Sequence, residues 1–350
     1  MSHARHRAEF EPRELSAILA RYDLGAVHTV DRHLRGSRRS PKVIVVTDKG
    51  RFLLKRRAPG RDQTMRVAFS HDVQQFLAGH RFPMPRLIAL KDGSDTMVAA
   101  DGHIYELFEY VVGEPYDQSA GATFDAGRTL GRFHVLLSGF RHEWQPPRRA
   151  YHDSSAVRAN LNEVPASVGK DDSVAGRESE LLATISALFD MYENACERVN
   201  DGRFADWPSQ VIHADWHPGN MLFQGGRVAA VMDYDSLRLL PPALDVANGA
   251  LQFSIIGGAA DPRSWPPELD EERLFSFLHG YDQEAALSPE QVRVLPWLMI
   301  EALIAEAVVP IAATGSFGRI EGFRFLQMIS RKARWLQHNG ERLISVAQVG

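Results

Sequence analysis

The chain of 350 residues contains one cysteine, Cys196, so no disulfide can form within it and a reducing, cytoplasmic setting is expected. Residues 1–10 are rich in Arg and His and lack the apolar run of a signal peptide, so none is expected. The most apolar stretch, residues 294–313, is broken by Glu301, Glu306 and Pro310. Carboxylates are costly in a lipid-facing span, so a buried helix and no membrane partner are expected. Lysine-rich runs and aromatic-studded basic motifs are missing too, which argues against a nucleic-acid partner. No internal repeat is visible, and nothing in the sequence sets an oligomeric state. What remains is an ordinary globular composition, 44% hydrophobic and 24% charged, long enough for one large domain or two joined lobes.

Charge is unevenly spread. Residues 1–112 hold 19 Lys and Arg against 13 Asp and Glu, which leaves 21 against 31 in residues 113–350. A basic front and an acidic back suit a phosphate donor on one side and a metal on the other. Scattered solvated charge would give the same count, so the pattern decides nothing alone.

Hydrophobic periodicity gives the organisation. Residues 11–22 predict an amphipathic helix, with Leu15, Ile18 and Leu19 on one face and Gly25 beyond its end. From Lys42 the period changes: a β-branched run, the turn Asp48-Lys49-Gly50 and a second apolar run ending at Lys55 predict a hairpin. Residues 65–78 predict a helix ended by Phe82-Pro83-Met84-Pro85, and residues 96–111 a second hairpin turning at Asp101-Gly102. Beyond Gly113-Glu114-Pro115, a plausible hinge, helices are expected over residues 124–137, 178–199, 271–281, 289–312 and 321–337. Residues 141–176 read as irregular, an inserted loop or lid. The expectation is an α+β front lobe, residues 1–112, and a mostly helical back lobe, residues 113–350.

The segment from Val211 to Asn220, Val-Ile-His-Ala-Asp-Trp-His-Pro-Gly-Asn, carries the chemistry. It leads into the strand Met221-Leu222-Phe223, the turn Gly225-Gly226 and a returning strand that delivers Asp233-Tyr234-Asp235. A hairpin places the residues before its first strand and after its second at the same end. Asp215, Asn220, Asp233 and Asp235 should therefore converge. A single loop Asp is ordinarily a turn former or helix cap. Four such groups at one end of a hairpin suit phosphoryl transfer, where magnesium takes oxygen ligands and a carboxylate orients the acceptor hydroxyl and accepts its proton.

His213-x-Asp215-x-x-x-x-Asn220 followed by Asp233 resembles the catalytic loop and metal-binding segment of the aminoglycoside phosphotransferase and choline kinase superfamily, relatives of the protein kinases. The longer string through His217-Pro218-Gly219 is similar to its small-molecule branches, the homoserine-kinase-like and spore-coat-kinase-like ones. Arg51-Phe52-Leu53-Leu54-Lys55, Phe108-Glu109-Tyr110-Val111-Val112-Gly113-Glu114, Leu130-Gly131-Arg132-Phe133-His134 and Pro242-Ala243-Leu244-Asp245 extend the resemblance over most of the chain. It implies a protein-kinase-like bilobal fold, with ATP or GTP as donor, Mg2+, and a small-molecule hydroxyl as acceptor: an amino alcohol, aminoglycoside, homoserine or sugar. By position it makes Asp215 the catalytic base and Asn220 and Asp233 metal ligands, with Asp235 assisting the metal or the substrate. Lys55 would hold the nucleotide phosphates, and the backbone of Glu109, Tyr110 and Val111 the adenine edge. His213 and Asp245 would brace the loop.

Two departures stand out. The phosphate-covering turn, residues 34–40 with Ser37, has one glycine and three arginines. The helix position whose acid should pair with Lys55 falls on His71, with Asp72 adjacent, so Asp72 substitutes or Lys55 is steadied differently. Arg56 and Arg57 rival Lys55, and a lysine ending a strand is ordinarily a solvated edge residue. Glu301 and Glu306 face either a polar pocket or solvent. Two other readings stay open: a nucleotide-binding relative without catalysis, and a zinc-dependent hydrolase built on the alternation of His213, Asp215 and His217.

Overall fold

The computed structural model describes residues 8–33, 40–169, 174–258 and 260–349. Ser37 and most of its turn lie outside them. The front begins with α1 (Pro12–Leu19) and continues through β1 (Val27–His33), β2 (Lys42–Thr47), β3 (Gly50–Arg56), α2 (Thr64–Gly79), β4 (Met97–Ala100) and β5 (His103–Glu109). The five strands form an antiparallel sheet in the order β1-β2-β3-β5-β4. Both expected hairpins are present, and Gly50, Asp101 and Gly102 adopt the positive φ that such turns require. The polar strand β1 joins as an unexpected fifth member. Lobe architecture is thus that of a small antiparallel sheet backed by a larger helical body.

The sheet's inner face carries Val43, Val45, Phe52, Leu54, Tyr105 and Leu107, which pack with Ile18, Tyr22 and Leu24 into a small core. Helix α2 does not join it. Its buried Phe69, Val73 and Leu77 belong to the large core of the helical body.

The rest comprises α3 (Ala120–Leu137), α4 (Ser155–Val168), α5 (Glu178–Asp201), the short strands β6 (Gln210–Ile212), β7 (Met221–Gln224), β8 (Arg227–Val231) and β9 (Arg238–Leu240), then α6 (Ala243–Ser254), α7 (Glu271–Asp282), α8 (Pro289–Thr314), β10 (Ser316–Phe317), β11 (Ile320–Glu321) and α9 (Gly322–Val349). Helix α4 corrects the reading of residues 141–176 as irregular: Val157, Leu161, Val164 and Val168 recur at helical spacing and are all buried, despite Pro165 inside the helix. Helix α8 starts with a capping box between Ser288 and Gln291 and ends at Gly315, φ 74°. Among the described residues it is the one helix long and apolar enough to cross a membrane, and most of it is buried within the protein.

Helices α3 and α7 cross at backbone contact. A Cβ at Gly127 would lie 2.0 Å from the Phe277 carbonyl oxygen, and one at Gly280 2.0 Å from that of Phe124. This crossing brings Tyr281 on α7 beside His134 on α3, hydroxyl to Nδ1 3.0 Å.

Candidate active site

Strand β6 pairs with β9, Ile212 opposite Arg238, and the β7–β8 hairpin pairs Met221 with Val231. The Met232 N–H donates to the Asn220 carbonyl at 2.8 Å. Residues 213–220 and 232–235 are therefore adjacent, as the hairpin argument requires.

The turn into Asp215 is strained and held. Ala214 has φ 61°, a left-handed conformation unfavourable for a residue with a Cβ. Asp245, at the start of α6, accepts the N–H groups of His213 at 2.7 Å and Ala214 at 2.8 Å. His134 Nε2 lies 3.3 Å from the same carboxylate, so the α3–α7 crossing is linked through Tyr281, His134 and Asp245 to the loop. His213 is fully buried, its Nε2 3.2 Å from the Met232 carbonyl, and among the described residues it forms no metal-binding group with Asp215 and His217. The zinc reading fails on that placement.

Asn220 donates through Nδ2 to the Asp215 carboxylate and carbonyl, each at 3.0 Å, which fixes the Asp215 side chain. His217 Nε2 is 3.5 Å from its other oxygen, and burial holds the His217 imidazole below its ordinary pKa against the pull of Asp215. Asp233 also has a left-handed backbone, φ 63°. Burial works to raise its pKa, but Lys55, Lys42 and Arg61 drive it below the ordinary value. Its Oδ1 is buried without a hydrogen-bond partner, 4.0 Å from Lys55 Nζ.

Strand alternation separates the three candidate cations. Arg56 turns away to Glu14, 2.5 Å, on the α1 side. Lys55 and Arg57 point into the cleft, where Lys55 Nζ meets Asp235 at 3.0 Å and Glu106 at 3.9 Å. Arg57, 2% exposed, bridges Glu106 at 2.7 Å and Asp235 at 2.8 Å. Burial opposes charge on Lys55, yet Asp235 and Glu106 raise its pKa above normal. Burial alone would raise the Glu106 carboxyl; Arg57, Lys55 and His71 instead push it far below the carboxylate range.

Glu106 was missed in the sequence. It stands directly opposite Lys55 in the β3–β5 register, a placement that no local motif marks. His71 approaches the same carboxylate, Nε2 to Oε1 2.7 Å, from α2. Asp72 faces outward to His142, 2.9 Å, and does not reach Lys55. The acid beside the lysine thus comes from a strand. Both carboxylate oxygens of Asp235 are engaged by Arg57 and Lys55, within the cation network of the cleft.

At the end of β5 the Glu109 N–H donates to the Arg86 carbonyl and the Tyr110 N–H to the Arg51 carbonyl. The Arg51 guanidinium covers the Tyr110 ring at 5.0 Å. Among the described residues, the Val111 backbone makes no backbone hydrogen bond. On the opposite wall, Glu306 of α8 is hydrogen-bonded by Gln252. Its carboxylate stays open to water within a crowded recess; that crowding and the charge of Asp215 raise its pKa to about 7. Glu301 is instead fully buried against His152, 3.0 Å.

Residues 32–293 match the model of the phosphotransferase enzyme family (APH). Homoserine kinase from Caulobacter vibrioides (strain NA1000 / CB15N) is 25% identical over 312 residues, 87% of each chain. That from Caulobacter sp. (strain K31) is 27% identical over 316, again 87% of each. Among solved structures, an aminoglycoside phosphotransferase from Alicyclobacillus acidocaldarius superposes with TM-score 0.66 at 16% identity over 99% of both chains. A microcompartment-associated aminopropanol kinase gives 0.64 at 15% identity, over 95% of this chain and all of that one. With the family model spanning most of its length around this site, the chain belongs to the APH phosphotransferase family and is a small-molecule kinase.

Proposed function

We propose that the enzyme moves the terminal phosphate of ATP to the hydroxyl of a small amino alcohol, with Asp215 as the base. The observation that carries this is the meeting of Asp215, Asn220 and Asp233 at one end of a hairpin facing Lys55. The unpartnered Asp233 oxygen and the Asn220 carboxamide fit a hard divalent cation, Mg2+, which when bound would neutralise phosphate charge. Lys55 holds the donor phosphates, and the Glu109–Val111 backbone meets the adenine edge at the free Val111 N–H. Asp215, fixed by Asn220, aligns the acceptor hydroxyl and takes its proton as the new bond forms. Asp235 steadies Lys55 and Arg57.

Glu306 supports the ammonium on the acceptor: an open carboxylate in electrostatic reach of Asp215 favours a cation there. Homoserine, named for the curated relatives, carries both groups and heads the candidates. The same proposal assigns donor binding to residues 1–112 and acceptor binding to residues 113–350, in a cytoplasm that supplies ATP.

The test is magnesium-dependent phosphate transfer from ATP and GTP across homoserine, aminopropanol, aminoglycosides and sugars, with Asp215→Asn alongside. Transfer by the wild type alone, with nucleotide binding kept in the variant, is expected. Equal turnover in Asp215→Asn would remove the base from its role.

A further inference from the structure

A second cluster of ionisable groups lies apart from the transfer site, where the segment before α4 meets helices α5 and α8. His152 comes from the segment, Cys196 from α5 and Glu301 from α8. A ring nitrogen of His152, the Sγ of Cys196 and a carboxylate oxygen of Glu301 all lie within 4.8 Å of one another. Among the described residues this is the one such trio of His, Cys and acidic side chains close enough to share a metal ion.

The orientation of the imidazole is set from its far side. His152 Nε2 is 3.3 Å from Asn200 Oδ1, and the Asn200 Nδ2 faces Asp153 at 3.4 Å, so Nε2 is the N–H that donates. An oxygen holding the far nitrogen in this way is the usual support of a metal-bound histidine. Nδ1 then turns its lone pair toward Glu301, 3.0 Å from each carboxylate oxygen. Two acceptors face each other this closely only with a proton or a metal ion between them. The Asp153 N–H donates to Glu301 Oε2 at 3.1 Å, and the Phe204 ring packs on the imidazole with centroids 4.1 Å apart.

Charge points the same way. Cys196 is 3% exposed and Glu301 fully buried. Burial, and then Glu301, push the Cys196 thiol up to about 12, and burial raises the Glu301 carboxyl as well. Arg158, the nearby guanidinium, is taken by Asp153 and Glu193. A divalent ion would balance thiolate and carboxylate charge for charge, with a neutral imidazole as third ligand. Thiolate and imidazole favour Zn2+ over Mg2+, which seeks oxygen. Nitrogen and oxygen ligands of a tetrahedral zinc stand about 3.3 Å apart, so His152 and Glu301 need to part by only a few tenths of an ångström.

We infer that His152, Cys196 and Glu301 form a structural zinc site, separate from the magnesium site of phosphate transfer, that pins the segment before α4 to α5 and α8. The second Glu301 oxygen or a water completes the coordination. Binding releases the thiol proton and the proton held between His152 and Glu301. Tyr151, next to His152, donates to the Leu244 carbonyl at 3.0 Å, and Glu306 follows Glu301 on α8. The metal therefore stiffens the framework behind both Asp245 and Glu306.

The test uses the single cysteine: a thiolate-to-cobalt charge-transfer band can arise only at Cys196. The whole protein is stripped with a chelator, resupplied with excess Mg2+ and titrated with Co2+, then with Zn2+. A near-ultraviolet band that saturates at about one equivalent of Co2+ and disappears on adding Zn2+ is expected, with Tm raised by about 5 °C or more in Zn2+. Glu301→Gln, which keeps the side-chain shape, should weaken Zn2+ about tenfold or more in competition with a chromophoric chelator. Cys196→Ala, a small apolar replacement, should abolish the band and the zinc-dependent rise in Tm while keeping the far-ultraviolet circular dichroism and the Mg2+-dependent binding of an ATP analogue. No band at stoichiometric Co2+, a Tm that Zn2+ does not move, or unchanged Zn2+ affinity in Glu301→Gln would overturn the inference.

Discussion

Asp245→Asn is the sharpest probe of how the fold holds its base. The Asp245 carboxylate is 1% exposed and accepts two backbone N–H groups, from His213 and Ala214, that fix the turn before Asp215. A carboxamide has one oxygen, so one of these bonds is lost and an NH2 faces an N–H. A hydrogen bond to a charged group contributes about 1.5–3 kcal/mol. The left-handed Ala214 works against it, storing about 1–3 kcal/mol. The two are of similar size, so the variant should let the turn relax and leave the Asp215 carboxylate misaimed. The population in working geometry, and with it kcat, should fall about ten- to hundredfold. Lys55 and the Glu109–Val111 backbone do not depend on Asp245, so the KM for ATP should change little. Adding Ala214→Gly, which removes the Cβ penalty, should recover part of the loss. Steady-state kinetics with both substrates, together with binding of an ATP analogue, separate the outcomes. A kcat within twofold of wild type, or a loss shared equally by nucleotide binding, would refute the reasoning.

Three further outcomes follow from the same contacts. Glu106→Ala strips the buried carboxylate from Arg57, Lys55 and His71 and should cost about 3–5 kcal/mol in urea unfolding and raise the KM for ATP; Asp72→Ala, on the exposed face, should leave both near wild type. Gly127→Ala forces α3 from α7 and should destabilise by about 3 kcal/mol, read by the same unfolding curve. Glu306 is charged only above about pH 7, so kcat/KM for an amine-bearing acceptor should rise with pH through that range; in Glu306→Gln the rise attributable to this group should vanish.

Much of this could be read from the chain because its information is local. The hairpin turns are marked by Gly50, Asp101-Gly102 and Gly225-Gly226, whose positive φ few other residues adopt cheaply. The short spacing from Asp215 to Asn220 and the hairpin to Asp233 make convergence a matter of strand geometry. Helix α4 was obscured by Pro165 and by a polar surface around four spaced apolar residues. Strand β1 alternates too weakly to declare itself, because most of it lies at an exposed sheet edge. Glu106 depends on pairing between strands that are separated in sequence by α2 and β4, and such a register is set by the assembled sheet. Glu301 and Glu306 share one helix yet meet opposite fates, buried against His152 and open near Asp215, since five residues turn a helix by more than a full revolution.

Helix α2 lies among the front strands in sequence but contributes its apolar side chains to the large core behind them. Any rocking of the sheet to admit or release nucleotide would therefore slide past α2 instead of carrying it. Residues 58–63 and the short stretch between Met84 and Arg86 become two tethers, and the His71–Glu106 bond becomes the plane of shear between a moving roof and a fixed floor. In such a machine the lysine travels with its own acid, because both are riveted to the same sheet.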